Sequence, residues 1–100
     1  MDPIIEILSK NIIQDKRISR NDKEQFIFLI NRISSFKTTA QQLYRQNAFH
    51  PLYNAFNEEI LFLTEQKNIF AQKLTGNSQI IISEFINSLI DLYNHYLTRL

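Results

Sequence analysis

Apolar residues recur at intervals of three and four along almost the whole chain. That spacing lines one face of an α-helix, and a strand's two-residue period cannot produce it. Ile4, Leu8 and Ile12, with Ile5 and Ile7 beside them, draw the first stripe. Phe26, Leu29, Ile30, Ile33, Phe36, Ala40, Leu43 and Tyr44 draw a longer second one, and Leu52, Phe56, Ile60, Leu63, Phe70 and Leu74 a third. In the last stretch Ile81, Phe85, Leu89, Leu92 and Tyr96 form one row and Ile82, Ile86, Tyr93, Leu97 and Leu100 another, which together make a wide apolar face.

The chain has one glycine and two prolines, so each of them marks a boundary. Asp2 and Pro3 read as N-cap and first residue of a helix over 3–14, followed by a turn at Lys16-Arg17-Ile18. Ser19 with Asp22, or Asn21 with Glu24, supplies the capping-box start of a helix over 20–47. His50 stands before a proline, which disfavours helical geometry at His50 and makes Pro51 the first residue of a helix over 51–75. Gly76 is expected at the left-handed C′ position, and Asn77 or Ser78 caps a helix over 78–98. Short connections favour antiparallel neighbours, so the expected fold is all-α: an up-and-down antiparallel four-helix bundle with a short first helix, forming one domain over 1–100. The later helices would run roughly 30–40 Å and the first only about 20 Å, which leaves part of one groove uncovered.

The third helix carries a second stripe at heptad spacing, Ala55, Phe62 and Ile69, turned away from Phe56, Ile60 and Leu63. It reads either as the broad face a helix needs between two neighbours or as a surface for a partner or a second copy of the chain. On the second reading the contact residues are Tyr53, Phe62 and Ile69 with Tyr93, Tyr96 and Leu100, since aromatic side chains are favoured interface anchors.

Composition narrows the chemistry. There is no cysteine, so neither a disulfide nor a thiolate zinc site exists, and a reducing compartment fits. No apolar run approaches the ~20 residues of a membrane span. The first residues lack the basic lead-in and apolar core of a secretion signal, so the chain reads as cytosolic. The net charge is +1, which builds in no general attraction to nucleic acid or anionic lipid. Lys16, Arg17, Arg20 and Lys23 nonetheless cluster around the first turn, interleaved with Asp15, Asp22 and Glu24, and form the candidate phosphate-contacting patch. Asp91, His95 and Arg99 share one face of the last helix. Two histidines do not supply the three or four convergent ligands of a zinc centre, so no metal, cofactor or small-molecule substrate is expected.

Arg45-Gln46-Asn47-Ala48-Phe49-His50 resembles the Arg-x4-His signature of the HEPN ribonucleases, helical bundles in which dimerisation pairs two such motifs into one RNA-cleaving site. The resemblance implies that Arg45 would stabilise a developing phosphorane and His50 would move the proton. In size, charge, lack of cysteine and helix layout the chain also resembles the pediocin-like bacteriocin immunity proteins, cytosolic four-helix bundles that recognise a receptor–toxin complex. The hairpin from Gln46 to Leu52, with an aromatic packed across the turn, is similar to that of small flagellar export chaperones. An isoleucine-, asparagine- and phenylalanine-rich composition is what an A/T-rich genome gives and points to a bacterium or phage. Surface and groove features outnumber catalytic ones, so the leading expectation is a non-enzymatic protein-protein interaction module: an inhibitor, immunity factor, adaptor or chaperone.

Overall fold

A computed structural model of the protein describes residues 3–74 and 76–100, with backbone alone for Pro3, Ile4, Ile5 and Leu8. Four helices follow one another: α1 (Pro3–Gln14), α2 (Arg20–Arg45), α3 (Phe49–Lys73) and α4 (Gly76–Leu97). The expected N-cap Asp2 and the expected helix end at Thr75 lie outside the described residues.

Each connection is closed by local hydrogen bonds. After α1 the Asp15 carboxylate accepts from the Arg17 backbone N–H at 2.9 Å, and the Ile18 N–H donates to the Asp15 carbonyl at 3.3 Å. Ser19 then caps α2, its hydroxyl oxygen accepting from the Asp22 N–H at 3.2 Å, so the first of the two expected capping arrangements is the one formed.

The α2–α3 turn falls earlier than the prolyl signal implied. Asn47 adopts a left-handed conformation, with φ of 55°. The Ala48 N–H donates to the Leu43 carbonyl at 2.9 Å and the Asn47 N–H to the Tyr44 carbonyl at 3.1 Å. This pair of bonds is a Schellman motif, and asparagine is among the few residues that enter the left-handed region at low cost. Helix α3 is therefore under way before Pro51, which occupies its third position, where a missing backbone N–H still costs nothing. His50 lies inside the first turn and is not the cap; Ala48 takes that place without a side-chain hydrogen bond.

Gly76 is left-handed as expected, with φ of 60°, but it opens α4 and does not follow directly on α3. Asn77 and Ser78 consequently belong to the first turn of α4. The Gln79 side chain reaches back to donate to the Ala71 carbonyl at 3.0 Å, satisfying an acceptor in the last turn of α3.

Ring contacts give the directions. Phe36 meets Phe56 at 5.2 Å and Tyr44 meets Phe49 at 6.0 Å, so α2 and α3 are antiparallel. Phe26 meets Phe85 at 5.1 Å and Phe36 meets Tyr93 at 5.1 Å, so α2 and α4 run the same way on either side of α3. Helix α1 packs on α2 and α4, opposite α3, completing the up-and-down ring. The molecule measures 43 × 23 × 18 Å, and α2, at about 39 Å, sets its length. Phe26, Leu29, Leu63, Ile82, Ile86 and Leu89 are fully enclosed at its centre.

Candidate functional site

Twelve residues give α1 a length of about 18 Å, less than half that of α2. Its first turn reaches along α2 to Lys37, whose ammonium lies 3.8 Å from the Glu6 carboxylate. Beyond that point the channel between α2 and α4 is open among the described residues and forms a groove of about 400 Å³. Phe36, Ala40 and Tyr44 of α2 make one wall and Tyr96 and Leu100 of α4 the other. Leu52 and Phe56 of α3, with Tyr93, form the floor.

Phe56 organises that floor. Its ring packs edge-on to Phe36 at 5.2 Å and to Tyr93 at 5.5 Å, and meets Tyr96 at 6.0 Å. Around this apolar surface stand Lys37, Arg45 and Arg99, and among the described residues no acidic side chain lines it. Lys37 is shared with Glu6, whereas Arg45 and Arg99 have no acidic partner within 4.0 Å among the described residues.

Of the expected contact residues, Tyr93, Tyr96 and Leu100 all line this groove. Tyr93 does so from the core, its ring 1% exposed and packed against Phe36 and Phe56. Its hydroxyl is buried and finds no hydrogen-bond partner among the described residues, and burial together with the nearby Glu59 charge pushes the phenol above its ordinary range. Tyr93→Phe is accordingly expected to stabilise the fold by about 1 kcal/mol, the cost of burying an unsatisfied hydroxyl. Urea unfolding checks this, and a loss of similar size would show that the hydroxyl is bonded.

The second α3 stripe does not form a continuous free face. Phe62 is half-buried beneath Arg32, whose guanidinium carbon sits 3.6 Å from the ring centroid, a cation–π arrangement. Ile69 and Tyr53 are exposed at other points along α3, away from the groove. The same Arg32 donates two hydrogen bonds of 3.3 Å to Glu59. Glu59 is a buried carboxylate, its side chain only 6% exposed. The signal was available, since Glu59 falls between Phe56 and Leu63 in the spacing of the buried stripe, where a carboxylate demands a cation from across the interface.

The basic turn is largely self-neutralised. Arg17 holds Asp15 through contacts of 3.0 and 2.7 Å, which keep that carboxyl down at about 2, and Arg20 lies 3.8 Å from Glu24. Arg45 and His50 sit on either side of the Asn47 turn; Arg45 lines the groove and His50 is exposed in the first turn of α3. Among the described residues no cluster of three or more histidine, aspartate or glutamate side chains could hold a metal ion, and no helix is long and apolar enough to cross a membrane.

No protein-family model, curated protein or solved structure matches the chain.

Proposed function

We propose that the protein is a non-enzymatic interaction module that receives a segment of another protein in the open groove between α2 and α4. One observation carries this reading: among the described residues α1 covers only part of the channel, and the remainder is walled and floored by aromatic and aliphatic side chains that a full-length helix would ordinarily bury. Exposed aromatic groups beside a buried aromatic floor are the setting in which a few anchors deliver most of the binding energy. Tyr44, Tyr96 and Leu100 are the contact residues on this reading.

Photo-crosslinking in the native cells tests it. A benzophenone side chain replacing Tyr44, which is 62% exposed on the groove wall, should yield a discrete protein adduct. The same group replacing Leu61, equally exposed but outside the groove, should not. Identical labelling at both positions, or none at Tyr44, would remove the groove as the site.

A further inference from the structure

We infer that the face shared by α2 and α3 pairs with the same face of a second copy of the chain, Phe28 and Arg32 of each copy seating on Phe62 and Glu65 of the other. This surface is separate from the groove and lies on the side of the bundle away from α1, which packs on α2 and α4. Phe28 is 65% exposed and points away from the α2 phase that buries Phe26, Leu29 and Ile33.

Register fixes the neighbours of Phe28. Phe36 meets Phe56 and Arg32 bonds Glu59, so each turn back along α2 advances about one turn along α3. One turn before Arg32, Phe28 is therefore level with the stretch from Phe62 to Glu65. Phe62 is half-buried beneath Arg32, Glu65 is exposed, and Ile69, also exposed, extends the patch along α3.

The order of these groups selects the occupant. Helix α2 presents an aromatic ring and, four residues later, a cation; α3 presents an aromatic ring and, three residues later, an anion. Within one copy α2 and α3 are antiparallel, and a two-fold axis normal to the face reverses every helix, so α2 of the second copy runs in the same direction as α3 of the first. The two sets then advance together, about 6 Å from Phe28 to Arg32 and about 4.5 Å from Phe62 to Glu65. With the axis between the two helices, midway in height between Arg32 and Glu65, Phe28 lies over Phe62 as Arg32 reaches Glu65. Symmetry makes each contact twice, so a second copy supplies both complements at once. The two Arg32 groups, and likewise the two Glu65 groups, stay more than ~10 Å apart, where salt screens their repulsion.

Arg32 can serve both contacts. It donates to Glu59 through Nε and Nη2, two of the five N–H groups of a guanidinium, and its side chain is 45% exposed. The rings supply the buried area and the ion pair sets the register. Contact over about three turns of two helices falls short of the ~1,200 Å² of a standard interface, so association is reversible and depends on concentration. Leu61, about 100° further around α3 than Phe62, lies beyond its edge.

Sedimentation equilibrium of the full chain between about 10 μM and about 1 mM should show the mass rise from one chain towards two. Phe28→Ser and Glu65→Lys, both at exposed positions, should leave the urea midpoint unchanged while each weakens the dimer about tenfold, because symmetry doubles every substitution. Added salt should weaken the parent dimer and strengthen that of Glu65→Lys, in which cation faces cation. The chain has no cysteine, so a spin label on Ser35→Cys marks a single position. Mixed with isotopically labelled, unmodified protein, it should broaden resonances around Ile69 of the second copy and spare those of Tyr44. A single-chain mass at about 1 mM, dimers indifferent to both substitutions, or broadening centred elsewhere would overturn the pairing. A crosslink from Phe28 to a different protein, with the chain itself monomeric, would do the same and assign the face to that partner.

Discussion

Phe56→Ala is expected to cost the fold about 3–5 kcal/mol, the range for truncating a large buried aromatic. Phe56 is almost fully enclosed and its ring touches aromatic rings of both flanking helices, Phe36 on α2 and Tyr93 and Tyr96 on α4. Alanine would remove those edge contacts and leave a void that the three surrounding rings, anchored on two different helices, cannot close without moving backbone. Because the same ring floors the groove, adduct formation at Tyr44 should fall together with stability. Urea unfolding measures the first effect. Phe56→Leu, which keeps most of the volume, should recover the greater part of the loss and allow binding to be measured on a folded protein.

Arg32→Ala is expected to destabilise by about 3 kcal/mol at pH 7, because it strands a buried carboxylate. Glu59 has no second cation within 4.0 Å among the described residues, and Phe62 loses the guanidinium that covers it. The effect should depend on pH in a defined sense. Burial raises the Glu59 pKa above the ordinary 4.5, and Arg32 opposes that rise through its charge and hydrogen bonds. A carboxyl that binds its proton more tightly when folded favours the folded state most below 4.5, and that contribution is lost as the pH climbs through the raised value. Without Arg32 the folded-state value moves higher still. The penalty should therefore be full at neutral pH and shrink as the pH is lowered towards 4.5. Adding Glu59→Leu should restore most of the stability and flatten the pH dependence. Equal losses at pH 7 and pH 5 would show that the stranded carboxylate is not the cause.

The four helices were legible because their cores are spaced by threes and fours. Leu52, Phe56, Leu63, Phe70 and Leu74 are all buried as their phase requires. The α2–α3 boundary was misplaced because proline tolerates any position in a first helical turn, so Pro51 marked a neighbourhood and not an edge. The residue that turns the chain is Asn47, whose left-handed tolerance is a weaker signal than a proline.

The open channel followed from helix lengths alone, but its lining did not. Tyr44 lies in the phase of the α2 stripe and yet emerges at the helix end, where the bundle no longer encloses it. Tyr93 and Phe62 could not be sorted by phase. A broad apolar face does not show which residues another helix covers, nor that an arginine such as Arg32 will lie flat over a ring.

Leu100 borders the groove, so anything joined to the carboxyl side of that residue emerges on its rim. A purification tag or fluorescent fusion attached there would compete with whatever binds, and a pull-down through it would select against the contact it was meant to report. An affinity handle attached through Lys16, in the α1–α2 turn at the opposite end of the molecule, leaves the channel free.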